Sequence, residues 1–390
     1  MAAFSKIVIA GGGIIGNSVA YYLAKQNGVP VTLIDPVGIA PAASGSAGGL
    51  LAKDWRDGTT QEQLHRRGFA LHEELAKELD GGTTDYRRLN CAAVYVKGYE
   101  EHSNRNNDKN ESPSLRRKYP GVEWADKNVL GMEPMGDEST IAQVHPKKLC
   151  EAMWNYSESA VGSVLKKGRV VEAIVKDDSV QGVKLEDGEI VDADALVVAC
   201  GPWTDEARHW FSKHKGSLPE HHDGDDGNAI LPRVFGLKCH SYLVKPKSGK
   251  VYSQGVFFQG FGDEVEVYPR PDGDVYVNGC TDDDIIVTER PGSVTITEDK
   301  LEKLRDAMRY CSSDLGGEDL HPHLCQSCYM PVADTDESII IGPIPGVKGA
   351  FVGAGHGPWG ILQGPSTGEA IAELLMGKDP THVDLSPYAL

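Results

Sequence analysis

The sequence predicts an α/β fold in which a parallel-sheet domain is joined to a second, β-rich α+β domain. Three observations predict it: a β-α-β pattern at the start of the chain, a further buried-strand signal far downstream, and a β-rich stretch from Val234 to Val287. Lys6 to Ala10 reads as a buried strand, Ile14 to Gln26 as a helix and Val31 to Asp35 as a second buried strand. An amphipathic helix follows from Thr60 to Leu79, then strands at Val170 to Val175, Gly182 to Leu185 and Ala195 to Ala199, and a last helix from Ser366 to Met376. The segments Glu100 to Ser114 and Ser212 to Asn228 carry too little apolar content to pack and read as exposed insertions.

The 390 residues suffice for one large or two ordinary domains. With 57 acidic against 39 basic side chains the net charge is −18, so the average surface repels phosphate backbones and anionic headgroups. Nucleic acid and membrane surfaces are therefore not expected as partners. No run approaches the ~18 apolar residues of a membrane span, and MAAFSK passes directly into a strand rather than a cleaved leader. Eight cysteines spread along the chain fit a reduced, cytoplasmic protein rather than a disulfide framework. Cys325 and Cys328 form the only close pair, and no metal site is expected.

The 45 glycines gather in short motifs. Gly11-Gly12-Gly13-Ile14-Ile15-Gly16 contains G-x-G-x-x-G between a predicted strand and a predicted helix, the setting of a Rossmann-like dinucleotide site. Gly11 permits the turn, Gly13 admits a pyrophosphate, and Gly16 allows close helix–strand packing beside the phosphate-facing helix end. Asp35, about 20 residues further on, suits ribose hydroxyls and disfavours a 2′-phosphate.

NAD and FAD share that fingerprint, and three further segments favour FAD. They are Ala42-Ala43-Ser44-Gly45-Ser46-Ala47-Gly48-Gly49, whose small residues can lie against a flavin; the strand ending at Gly201-Pro202-Trp203; and the glycine-rich turn from Phe351 to Pro365.

With GGGIIGNSVAYYLAK, VHPKKLCEAM, VVACGPW and IGPIPGVKGAFVGAGHGPWGILQGPSTGEAIAELL in this order, the chain resembles the D-amino acid oxidase-like flavoproteins, in particular the glycine oxidase and sarcosine oxidase branch. The resemblance implies FAD contacted by Ile14, Ile15, Asp35, Pro36, Ala42, Ala43, Ala47, Gly48, Gly49, the Val170 backbone, His356, Gly357, Trp359, Gly360, Ile361 and Leu362; Cys328 resembles the cysteine that carries covalent flavin in sarcosine oxidases but stands about one residue out of register, so FAD without a covalent link is expected. It also implies an FAD-binding domain at 1–80, 140–205 and 330–390 and a substrate domain at 81–139 and 206–329.

The implied activity is oxidation of a C–N bond in an amine or amino acid derivative by hydride transfer to the flavin. A 2-hydroxy acid or alcohol oxidoreductase and a flavin-binding regulatory protein are the alternatives. Relatives of this type hold the substrate carboxylate with arginines at positions matched here by Met330 and Pro358, so a simple glycine-like substrate is not expected. Lys53 and Arg270 are the candidate replacement cations. Tyr329, Met330 and Trp359 are expected as an aromatic, apolar wall, and His356 as a flavin hydrogen-bonding group or proton carrier.

Overall fold

A computed structural model describes residues 4–79, 81–97, 122–211, 229–261, 264–282 and 286–390. The two polar insertions expected at Glu100 to Ser114 and Ser212 to Asn228 lie outside the described residues. One sheet of six strands runs in the order Ile340–Pro343, Ala350–Ala354, Ala195–Val198, Ile7–Ala10, Val31–Asp35, Val164–Lys167; all neighbours are parallel except the first pair. The strands Ala350–Ala354, Ala195–Val198 and Ile7–Ala10 are apolar at consecutive positions and fully buried because both faces are covered. Ile7, Ile9, Leu33 and Val197 pack toward the helices, whereas Val8, Ile34, Leu196 and Val198 pack toward the antiparallel strands Val170–Lys176 and Ser179–Leu185 with Trp210 and Phe211.

On the helical face, Ile14–Asn27 lies against Gly360–Leu375 and Pro146–Val161, and Glu62–Glu78 lies against Gly360–Leu375. Gly364 and Gly368, one turn apart, make the first contact possible: a Cβ would come within 2.5 Å of Ile14 and 2.3 Å of Ser18 respectively. Arg67 forks onto the buried carboxylate of Glu369 at 2.7 and 2.8 Å, tying the second pair together.

The last helix starts at Gly360, six residues before the expected Ser366, and runs through Pro365. Proline has no N–H to return to Ile361, four residues back. His72 supplies the missing donor from another helix, its Nε2 lying 2.9 Å from the Ile361 carbonyl.

The second large sheet has seven strands in the order Leu324–Ala333, Val234–Val244, Val275–Gly279, Val265–Pro269, Gln254–Gln259, Asn90–Val96, Val129–Gly136. It is antiparallel except where Gln254–Gln259 pairs with Asn90–Val96. One face packs on the helix Glu298–Cys311 through Val265, Val267, Val275 and Val277; period-two alternation turns the intervening residues the other way. Cys325 and Cys328 stand on one strand of this sheet at odd spacing, which puts them on opposite faces. Among the described residues no cluster of metal-ligating side chains occurs, and no helix is long and apolar enough to cross a membrane.

Candidate active site

A large cavity lies between the C-terminal ends of the parallel strands and the face of the seven-stranded sheet turned away from the helix Glu298–Cys311. Its first wall is mostly backbone. Gly11 leaves its strand at φ +116°, and a Cβ there would stand 2.1 Å from the Ala199 carbonyl oxygen; one on Gly12 would stand 2.3 Å from that of Gly38. The chain can pass this close only as glycine.

Asp35 accepts the N–H of Gly12 at 2.9 Å, Val37 at 2.8 Å and Gly38 at 2.9 Å. Three of about four lone-pair sites are thus used, and one is left for a hydroxyl in the cavity. The helix Ile14–Asn27 opens with no acid in its first turn, and Gly13 offers no capping side chain. Its end therefore keeps its positive character for an anion. Ser44 reaches across to accept the Ile14 N–H at 2.9 Å, which seats the 42–49 segment against the fingerprint.

All the cofactor residues expected from the sequence line this cavity except Gly16 and Leu362. Gly16 is a packing position, where a Cβ would lie 2.0 Å from the Gly11 carbonyl oxygen. Leu362 is buried among the helices with its carbonyl against Gly68. His356 lines the cavity, but burial holds its pKa down at about 4, and its Nε2 lies 2.9 Å from the Thr367 hydroxyl. A ring kept neutral in this way can orient or share a hydrogen bond, but it carries no charge at neutral pH. Trp359 also lines the cavity, and its buried indole N–H has no partner among the described residues.

The opposite wall is built from side chains. Glu266 stands directly opposite Asn278, and Tyr268 opposite Tyr276, on the neighbouring strands Val265–Pro269 and Val275–Gly279. The two tyrosine rings are stacked, with centroids 6.1 Å apart and planes 4° from parallel. Gly48 fits under them: a Cβ would meet the Tyr268 ring at 2.3 Å and that of Tyr276 at 2.9 Å. Tyr276 donates to the Ser46 carbonyl at 2.8 Å. Burial pushes the Glu266 carboxyl above its ordinary value, against hydrogen bonds from Tyr268 and Asn278 that favour the charge.

None of these four side chains was singled out from the sequence. The signal was available in the alternation of Val265-Glu266-Val267-Tyr268 and Val275-Tyr276-Val277-Asn278, in which each valine is buried on one face.

Three of the expected substrate-side residues do not line the cavity. Tyr329 has the wrong parity: Cys328 and Met330 on the same strand line the cavity, whereas Tyr329 is buried behind them and donates to Glu289 at 3.0 Å. Arg270 lies beyond the end of its strand with its guanidinium 5.5 Å from the Tyr276 ring centre and toward His145 and the Ala47 carbonyl. Lys53 follows the short strand Leu50–Ala52, where its backbone N–H bonds the Thr140 carbonyl. Met330 and Pro358, the positions where an arginine would be expected, both line the cavity without charge.

A glycine-lined turn feeding a helix, an acid at the end of the second strand and a separate sheet closing the far side define a dinucleotide-dependent oxidoreductase. The chain belongs to the family of FAD-dependent oxidoreductases, whose pattern it matches over residues 6–374. A Schizosaccharomyces pombe protein named only as an oxidoreductase is 27% identical over 95% of this chain and 94% of its own. The glycine oxidase of Bacillus subtilis is 25% identical over 96% and 94%. The structure of glycine oxidase from Bacillus cereus superposes with a TM-score of 0.75 at 18% identity, over 98% of both chains, and so shares the fold.

The residues present fit FAD. The helix end, with no acid in its first turn, would face the pyrophosphate, the free lone pair of Asp35 a ribose, and the small residues from Ala42 to Gly49 leave room for a flat ring.

Proposed function

We propose that the protein oxidises the C–N bond of a small or medium amine or amino acid derivative, with FAD held without a covalent link. The observation that carries this reading is the charge on the cavity wall. Met330 and Pro358 line it uncharged, and the one arginine among the lining residues, Arg169, is clamped by Glu206 at 2.5 and 3.2 Å beside Gly168 and Val170. Among the described residues a substrate carboxylate finds no free cation there, whereas an amine needs none.

FAD, when bound, supplies a two-electron hydride acceptor. The chain's own part is to orient the amine against aromatic side chains and to exclude water from the carbon that gives up hydride. Burial keeps the Cys328 thiol at a pKa of about 12, so it is no thiolate nucleophile at neutral pH, which supports free rather than cysteine-linked flavin. The relative named glycine oxidase supports amine chemistry of this kind.

Anaerobic addition of a panel of primary amines, N-methyl amino acids and hydroxy acids to the flavin-loaded protein tests the reading. Bleaching of the flavin bands by amines supports it; bleaching by hydroxy acids alone would replace it. Acid precipitation should leave a yellow supernatant, and a yellow pellet would overturn non-covalent binding.

A further inference from the structure

We propose that Glu266 is the anchor for the ammonium group of the substrate, so that the cavity selects amines whose positive charge is not offset by an adjacent carboxylate. This rests on the amine-oxidation reading and names the chemical class of substrate within it. Glu266 is on the cavity wall, where Oε2 accepts the Tyr268 hydroxyl at 2.6 Å and the Asn278 side-chain N–H at 3.3 Å. Oε1 receives no bond, and no lysine, arginine or histidine pairs with Glu266 among the described residues.

A carboxylate removed from water without a counter-ion is costly, and it becomes favourable only when an opposite charge is brought to it. Tyr268 and Asn278 fix its orientation, so that the free oxygen is already aimed when the ligand arrives.

The rest of the wall suits the same ligand. Tyr276, Tyr268, Phe257, Trp55 and Trp359 all line the cavity and follow one another with ring centroids 6.1, 5.8, 5.4 and 6.2 Å apart. Aromatic faces attract a cation and reject an anion. Arg56 stacks 5.2 Å from the Trp359 ring centre and does not line the cavity. Arg270 likewise stands 5.5 Å from the Tyr276 ring centre without lining the cavity, so among the described residues this side-chain wall presents to the cavity one carboxylate and a run of rings, with no cation among its lining side chains.

The test uses the flavin-loaded protein under anaerobic conditions and two probes of the same shape and opposite charge, benzylammonium and benzoate, with binding measured by calorimetry. The wild type is expected to bind benzylammonium more tightly than benzoate. Glu266→Gln, which keeps a carbonyl oxygen for Tyr268 and Asn278, should weaken benzylammonium about 10- to 100-fold, as loss of a charge-assisted bond does. Benzoate should bind the variant as well as before or better, and Glu266→Asp should keep most of the benzylammonium affinity.

Equal benzylammonium affinity in the glutamine variant, a wild-type preference for benzoate, or binding of neither probe would overturn the proposal. Flavin bleaching separates it from the function it rests on. Bleaching by amines with an unchanged KM in Glu266→Gln removes the anchor and leaves amine oxidation standing. Charge-dependent binding with no bleaching by any amine removes the oxidation and leaves the anchor.

Discussion

Around Gly11, Gly12 and Gly13 the cavity is bounded by backbone, whereas around Glu266, Tyr268, Tyr276 and Asn278 it is bounded by side chains that alternate along two strands. The first wall offers N–H groups and the absence of Cβ atoms, so it has one shape and tolerates little change. The second binds through chemistry carried beyond the backbone, which can be altered without moving the fold. The two walls should therefore fail differently when mutated.

The largest effect is expected at Gly11. Alanine there would place a Cβ 2.1 Å from the Ala199 carbonyl oxygen at φ +116°, so the turn must move. Backbone strain of this kind costs on the order of 1–3 kcal/mol before the clash is added. Gly11→Ala should be purified almost free of flavin, as read from the ratio of flavin to protein absorbance. Full flavin content would mean that the first wall is not as rigid as its contacts require.

Acid should act on the same half of the molecule. Burial holds the pKa of His65, His72 and His356 at about 4, against about 6.5 in an unfolded chain. Between those values the unfolded state binds more protons, so stability is complete above about pH 6.5 and is lost as pH falls toward 4. Each histidine contributes up to about 3 kcal/mol to that loss. Urea unfolding at pH 7 and pH 5 should show the fall, and equal midpoints would place these rings in a wetter setting.

A smaller effect tests how the last helix survives its proline. His72→Leu removes the donor to the Ile361 carbonyl and should cost about 1–3 kcal/mol for a buried acceptor left unpaired. Adding Pro365→Ala restores a backbone N–H to that carbonyl and should recover much of the loss. Simple additivity of the two substitutions in urea unfolding would show that the contact between His72 and Ile361 is incidental.

The same contrast explains what could be read in advance. The glycine turn between the first strand and the first helix was legible because a backbone wall needs its glycines close together at that point, and Gly11 to Gly16 have that order. The start of the last helix was not, because Pro365 reads as a boundary and the donor that overrides it comes from His72, distant in sequence. Tyr329 was expected on the cavity wall through its neighbours Met330 and Cys328, yet a strand turns adjacent residues to opposite faces. Glu266 and Asn278 meet only through strand register, which no local motif records. In this sequence the backbone wall is written as contiguous motifs and the side-chain wall only as parity.

The last expectation concerns stability rather than binding, and it separates a residue kept for a ligand from one kept for the fold. Glu266 faces Tyr268 and Asn278, with the Glu264 carboxylate acting on it along its own strand, and burial outweighs the two hydrogen bonds to raise its pKa. A carboxyl raised in the folded state contributes stability below its unfolded pKa of about 4.3 and loses that contribution as pH rises through the folded value. Once ionised, the side chain is therefore a cost to the ligand-free protein, and glutamine avoids it. Glu266→Gln should melt above the wild type at pH 7, with the gap closing toward pH 4. A variant that melted below the wild type at pH 7 would assign Glu266 to the framework of its sheet, and the two walls would then differ less than their construction indicates. A rise in melting temperature together with weaker ammonium binding would mark the second wall as the place where this chain gives up stability for recognition.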